Sequence, residues 1–389
     1  MGSGSVTPFR YLSYTQEVLF GPGERARLPQ AVQRFGWRRL MLVTSGSARR
    51  SGHAAQLEQL LGGSLAATYD HVQPHVPETQ VAEAAALAAE REAEAIIGLG
   101  GGSPIGLAKA VAHDLAAKRA SPPPNAAYLP IIAIPTTYAG SEMTAVYGVT
   151  RHTPEGGTLK VTVSDPLIAP RLVVYDPELT LDLPPELTAS TGMNALAHCI
   201  EALYSVTRHP LSSAAAVSGL SLIGRALPVC CAEPGNGQAR GDMLAGAHLA
   251  GASLASAAMA LHHGVCHVLG GTAGVPHGIA NSIILPHTMR FNADALVPTP
   301  PAKTWGQLAA SALDLPPAEG PIAAANAAAE WVHQLTGRLG LPQRLREAGV
   351  READLPSLAQ LAFASRTVHN NPKPINSAAE LEALLRAAW

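Results

Sequence analysis

Apolar and polar positions change rhythm once along this chain of 389 residues. In the first half, short apolar runs alternate with longer amphipathic ones. Positions 39–44 (RLMLVT) read as a buried strand, followed by Gly and Ser, and 51–61 as a helix. The Ala- and Glu-rich stretch 78–92 is strongly helical. Positions 94–98 (EAIIG) form another strand, ending in Leu99 and the run Gly100-Gly101-Gly102-Ser103. A helix should follow through Lys109 and Ala116, then a loop at Ser121-Pro122-Pro123-Pro124, with further strands at 131–134 and 172–175. Short apolar strands alternating with helices predict a parallel sheet covered on both faces.

Past Asp176-Pro177 the texture changes. From about Pro184 the chain becomes long Ala/Leu/Gly segments broken by Pro and Gly, and no strand pattern is visible. The expectation is two domains: an α/β domain over 1–183 and an all-helical domain over 184–389. The boundary falls near 180–187, where Leu183-Pro184-Pro185 punctuates the chain. The stretch 244–261 is the longest apolar one. It carries His248, has no flanking Lys/Arg cluster, and reads as a close-packed helix inside the helical domain rather than a membrane span.

Composition narrows the function. Charged residues are 14% of the chain, against about 25% in an average globular domain, and the formal net charge is −2. That excludes a basic nucleic-acid footprint and a charge-rich disordered chain. The cysteines Cys199, Cys230, Cys231 and Cys266 suggest neither a disulfide framework nor a zinc knuckle, and a cytoplasmic chain is expected. The start, MGSGSVTPFR, lacks the apolar core of a signal peptide.

Three constellations could carry chemistry. Gly100-Gly101-Gly102-Ser103 sits between a strand and a helix, where bare backbone amides and a helix start suit a phosphate. The segment 134–144, with Thr136, Thr137 and Ser141, follows the next strand directly. It lies where α/β proteins bind cofactors, at the carboxyl end of the sheet. Ser45, after the first strand, joins this candidate cofactor set. The third is a histidine cluster. The chain has 15 His, and His248, His262, His263, His267, His277 and His287 fall within about forty positions, where even scatter would put one or two. His263 and His267 share a helix face, as do Asn194 and His198 on the helix expected at 192–204. Imidazoles so spaced build a divalent-metal or acid–base site. His248, His262 and His287 individually read as structural.

Together these segments resemble the iron-containing (group III) alcohol dehydrogenase superfamily, and within it the maleylacetate reductases. The resemblance runs nearly end to end, from Phe9-Arg10-Tyr11 and Val18-Leu19-Phe20-Gly21 to Asn371-Pro372-Lys373-Pro374. Its most specific pieces are GGGSPIGLAKA (100–110), PTTYAGSEMT (135–144), GMNALAHCIEALY (192–204) and HHGVCHVLGG (262–271). It implies a dehydroquinate synthase-like architecture: a Rossmann-like dinucleotide-binding domain, then a helical catalytic domain, with the active site in the cleft between them and a homodimer as the assembly. Gly100, Gly101, Gly102 and Ser103 match the pyrophosphate loop, Thr136 and Thr137 the second cofactor loop, and Lys160 the lysine near the ribose. Asn194, His198, His263 and His277 stand where metal-dependent relatives carry an Asp and three His. His267 matches a further active-site histidine close to the substrate.

Two departures matter. Asn194 replaces the Asp, and a neutral amide is a poorer ligand for a hard divalent ion; maleylacetate reductases share this Asn and generally need no metal. Gly264 stands where those enzymes usually have Lys, and Val275-Pro276-His277-Gly278-Ile279-Ala280-Asn281 looks more like the general alcohol dehydrogenases. The resemblance implies an NADH- or NADPH-dependent reductase of maleylacetate, or a similar small unsaturated oxo-acid, giving 3-oxoadipate in aromatic-compound degradation. His267, His263 and His198 are the expected catalytic residues, His267 as proton donor or oxyanion partner. Lys373 and Arg366 are the candidate carboxylate partners. The competing reading is an Fe- or Zn-dependent alcohol dehydrogenase or aldehyde reductase; a non-enzymatic binding module is a third. No acid follows the first strand to bind a ribose 2′-OH, whereas Arg49 and Arg50 are near, which points to NADPH being accepted. The expected partner is a small carbonyl compound, with no nucleic acid and no membrane.

Overall fold

The computed structural model describes residues 8–118, 128–152, 158–295 and 303–389. The expected loop at 121–124 lies outside them. The chain forms two compact units, Ser13–Leu183 and Pro184–Trp389.

The first unit carries strands β1 (Glu17–Phe20), β2 (Leu40–Thr44), β3 (Leu65–Tyr69), β4 (Ala95–Gly100), β5 (Ile131–Pro135), β6 (Val146–His152), β7 (Thr158–Ser164) and β8 (Leu172–Tyr175). Its helices are α1 (Leu28–Phe35), α2 (Gly46–Arg50), α3 (His53–Leu61), α4 (Glu78–Glu90) and α5 (Gly102–Ala117). Six strands form a wholly parallel sheet in the order β1-β8-β5-β4-β2-β3, while β6 and β7 pair as an antiparallel hairpin. The central strands read as unbroken apolar runs because both faces are covered. Met41, Val43, Ile96 and Ile131 point to one face, against Ala84 and Ala88 of α4 and Leu107 and Val111 of α5. Leu40, Leu42, Ile97, Ile132 and Val174 point to the other, against Leu28 and Val32 of α1 and Leu57 of α3.

The sequence pattern finds β2, β4, β5 and β8 within two residues, but not β1, β3 or the β6–β7 hairpin. The two missed sheet strands are its edges. β1 alternates half-buried with exposed residues, and β3 is largely half-buried, so neither makes a continuous apolar run.

The second unit is helical, with no strand among the described residues. It contains α6 (Pro185–Tyr204), α7 (Pro210–Ala232), α8 (Gly237–Ser256), α9 (Leu261–Thr272), α10 (His277–Phe291), α11 (Trp305–Ala312), α12 (Pro321–Arg338), α13 (Leu355–Phe363) and α14 (Ala378–Ala388). Their starts are written in the sequence. Pro185 opens α6 at its first turn, His209 and Ser212 form a capping box on α7, and Asn236 Oδ1 accepts from the Ala239 N–H of α8 at 3.0 Å.

Two sequence expectations need correction. The stretch 244–261 is not one helix: α8 ends at Ser256 and α9 begins at Leu261, after a bend of 99°. The reason is Glu201 of α6, whose carboxylate caps the new start by accepting from the N–H groups of Ala260 and His262 at 2.8 and 3.1 Å. Secondly, residues 8–12 belong with the helical unit, not with the α/β unit. Phe9 stacks on His209 with ring centroids 4.7 Å apart, and Tyr11 meets the same ring edge-on at 5.5 Å.

Candidate active site

In the α/β unit, two candidate loops leave neighbouring strands. β4 ends in Gly100, whose φ of +138° is open to glycine but strained for other residues. The chain then turns straight into α5, and no side chain caps that helix start. Its first amides are therefore available to an anion, with the helix dipole favouring negative charge. The loop after β5 comes alongside. The Thr136 N–H donates to the Gly100 carbonyl at 3.0 Å. A Cβ on Gly101 would lie 3.1 Å from Oγ1 and 3.2 Å from Cγ2 of Thr137, so the glycine lets the two loops approach closely without displacing that side chain. Gly100, Gly101, Gly102, Ser103, Thr136 and Thr137 are thus brought together. Ser141 is half-buried at the end of this loop, and its carbonyl accepts from Nζ of Lys109 at 2.5 Å. Lys160 pairs with Thr150 along the hairpin, and its side chain lies outside the described residues.

Ser45 precedes α2, with its hydroxyl 2.7 Å from that of Ser47. Of the two nearby cations, Arg49 is consumed. It holds both oxygens of Glu58 at 2.7 and 2.8 Å and Asp70 at 3.0 Å. Arg50 is exposed, has no ion pair among the described residues, and places a guanidinium nitrogen over Gly46, 3.2 Å from where a Cβ would be.

In the helical unit the histidines converge. α6 supplies Asn194, His198 and Glu201 on one face, α9 supplies His262, His263 and His267, and α10 begins with His277. The rings form a ladder. His198 stacks on His263 at 4.8 Å, His263 contacts His267 and His277 at 6.1 and 6.0 Å, and His267 stacks on His277 at 5.8 Å. His267 is exposed, His277 half-buried, and His263 and His198 buried. The ladder therefore runs from solvent into the core.

Protons on the buried end can be placed. His262 Nε2 lies 3.2 Å from the Asn281 carbonyl, which only accepts, so His262 carries its proton there. Its Nδ1 then accepts, and it faces Nδ1 of His263 at 3.2 Å. Nδ1 of His263 also contacts the Glu201 carboxylate. The His263 proton must therefore sit on Nδ1, leaving Nε2 as a bare lone pair. That Nε2 is buried without a hydrogen-bond partner, and so is Nδ1 of His198. Burial and neighbouring imidazoles push His262 and His263 down to about 3, and push His198 well below its ordinary value. All three are neutral near pH 7. Burial raises Glu201, while the nearby imidazoles and backbone amides oppose the shift.

The two orphaned imidazole nitrogens are the chemistry a divalent ion takes. The Asn194 position is not. Its Oδ1 accepts from Nδ2 of Asn281 at 2.7 Å, which takes one of the two lone pairs of the amide oxygen, and it carries no charge. Glu201, His262 and His263 place ligand atoms within 4.8 Å of one another. Apart from Nε2 of His263, their donors and acceptors are committed to backbone and to each other, so they support the ladder instead of forming a second cage.

The sequence reading missed Glu201, Asn281 and the part played by His262. Glu201 stood in the quoted GMNALAHCIEALY segment, seven positions after Asn194 and so on the same helix face, which was its signal. The missing lysine has a steric reason. A Cβ on Gly264 would lie 2.5 Å from Cγ2 of Val368 and 3.0 Å from its backbone nitrogen. Of the candidate carboxylate partners, Lys373 is held by Asp294 at 2.9 and 3.0 Å, and Arg366 is exposed.

The similarities to known proteins fit this arrangement. Residues 15–177 match the family described as iron-containing alcohol dehydrogenase, and residues 188–389 match the Fe-containing alcohol dehydrogenase family, C-terminal. A maleylacetate reductase of Pseudomonas knackmussii is 38% identical over 372 residues, 96% of this chain and 95% of that protein. The crystal structure of maleylacetate reductase from Agrobacterium tumefaciens superposes with a TM-score of 0.84 at 33% identity, covering 99% of each chain. Sulfoacetaldehyde reductase from Bifidobacterium kashiwanohense, in complex with NAD+, gives 0.84 at 26% identity over 98% of this chain and 99% of that one. The α/β unit followed by a helical one is the dehydroquinate synthase-like architecture that the resemblance implied.

Proposed function

This chain belongs to the iron-containing alcohol dehydrogenase family of NAD(P)-dependent oxidoreductases, and from that premise we propose that it reduces maleylacetate, or a similar small unsaturated oxo-acid, to the saturated product. The reaction consumes one hydride from NAD(P)H and one proton. Hydride adds to the alkene carbon, the electron pair moves through conjugation onto the ketone oxygen, and the enolate takes a proton to give 3-oxoadipate. The phosphates of the cofactor lie on Gly100–Gly102, Ser103 and the start of α5, with Thr136 and Thr137 beside them, and Ser45, Ser141 and Lys160 complete the cofactor set. Arg50 is the side chain suited to a 2′-phosphate, since Arg49 is consumed by Glu58 and Asp70; NADPH is accepted beside NADH.

His267 is the proton donor. It is exposed and in ring contact with His277 and with buried His263, whose single N–H is held by Glu201, so His267 with His277 beside it is left to face the developing oxyanion. A divalent ion, where bound, would be held by His198, His263 and His277 and would supply a Lewis acid to the same oxygen. The observation that carries the reading is the Asn194–Asn281 amide pair. It puts a neutral amide, with one lone pair already given to Asn281, where a hard cation wants a carboxylate. The orphaned nitrogens of His198 and His263 favour a second reading, a metal-dependent alcohol dehydrogenase or aldehyde reductase. We place the protein in the cytoplasm, as a homodimer, with a role in aromatic-compound degradation.

The test is NADH and NADPH oxidation with maleylacetate and with a panel of simple aldehydes, with and without chelator. Turnover of maleylacetate that chelator leaves intact is expected. Activity confined to aldehydes, abolished by chelator and restored by Fe²⁺ or Zn²⁺, would establish the second reading instead.

A further inference from the structure

The α/β unit contains a buried cation that nothing above uses. Lys109, on α5, is fully buried. Its Nζ donates to the carbonyls of Ser141 and Val146 at 2.5 and 3.0 Å and to Oγ1 of Thr144 at 3.2 Å, with Oγ of Ser141 at 3.3 Å. An ammonium is kept in a dry core only where its protons are satisfied, and here they are. Burial still pushes it down to about 7, against the pull of buried Glu142.

Every acceptor lies on one short segment, 141–146, immediately after the loop that carries Thr136 and Thr137. The same segment is braced from β8, where the Tyr175 hydroxyl donates to Oε1 of Glu142 at 2.9 Å. At the upstream end, the Thr136 N–H is tied to the Gly100 carbonyl, and Thr137 packs against Gly101. The loop 136–140 is thus slung between two anchors, the glycine turn and the Lys109 ammonium. Both belong to the single piece of chain that ends β4 and begins α5.

We propose that Lys109 is a positioning residue for dinucleotide binding: from within α5 it clamps the far end of the second loop and so holds Thr136 and Thr137 beside the phosphate-facing start of the same helix. The inference rests on the reading that these loops hold NAD(P)H. A purely structural lysine would brace the β6–β7 hairpin and leave nucleotide affinity alone.

The experiment is Lys109→Met, which keeps the length of the side chain and removes the charge. NADH binding is read by fluorescence titration, alongside KM, kcat and the melting temperature. Kd and KM for NADH should rise at least about tenfold while kcat stays within about threefold. Leu57→Ala, in the core on the other face of the sheet, is the control for stability loss, with Kd unchanged. If Lys109→Met does not fold, Thr144→Val removes one acceptor and should raise Kd by about two- to fourfold. Variants that melt earlier yet bind NADH as the unsubstituted protein does would overturn the inference and leave the cofactor reading standing. An unsubstituted protein that binds neither NADH nor NADPH would overturn both.

Discussion

At the scale of single residues, the site turns on which atoms are already spoken for. Asn194 was legible as a departure from a metal-binding pattern, but its meaning was not. Only the fold shows that its Oδ1 is engaged by Asn281, 87 positions away. Glu201 was equally hidden, because a lone acid on an apolar helix announces nothing until the start of α9 is seen resting on it. Asn194→Asp tests the point. A carboxylate there would still accept from Asn281 Nδ2 and would add a negative charge one helical turn before His198. Zn²⁺ affinity, measured by calorimetry on metal-stripped protein, should rise at least about tenfold. Unchanged affinity would mean that charge at this position does not govern metal binding. Gly264 carries a similar lesson: the sequence marks the absent lysine, and Val368 supplies the cause.

Elements are set by patterns that the chain displays openly, and their packing by close approaches that it does not. The apolar runs of β2, β4, β5 and β8 are conspicuous because both faces are buried, whereas edge strands β1 and β3 lack that signature. Helix contacts are harder still to read. A Cβ on Gly278 would lie 2.7 and 2.8 Å from Cβ and the carbonyl oxygen of Ser190, so α10 rests directly on α6 beside His277. A Cβ on Gly306 would lie 2.6 and 2.7 Å from Cβ and Cα of Ala325, which packs α11 as tightly on α12. Overpacking such contacts costs about 1–3 kcal/mol, and each kcal/mol moves the melting point by about 2–4 °C in a domain of this size. Gly278→Ala and Gly306→Ala should therefore melt several degrees early to a similar extent. Gly278→Ala should also lose activity at least about tenfold, because it displaces His277 and Asn281, while Gly306→Ala keeps its rate. Equal activity in the two variants would detach the α6–α10 contact from function.

For the whole molecule, the surplus of histidine is a statement about pH. Burial pushes His287 down to about 4, helped by Arg290, His333 and Arg344, and His262 and His263 to about 3. The unfolded chain protonates these rings near their ordinary value of about 6.5, so below that pH it binds protons that the folded chain refuses. The stability these rings contribute is complete above about pH 7 and falls as pH drops toward 4. Glu142 and Glu201, raised by burial, oppose this once pH nears their raised values. Urea midpoints should be lower at pH 5.5 than at pH 7.5. His287→Gln should flatten the dependence, and an unaltered slope in that variant would show that His287 does not contribute. Phe9 finds its stacking partner, His209, only after about 200 further residues have been made, roughly 10–40 s at about 5–20 residues per second. During synthesis the whole α/β unit can emerge and fold while the aromatic segment ahead of it waits. A helical unit produced on its own would carry a bare His209, and a peptide spanning residues 8–12 is the piece that would complete it.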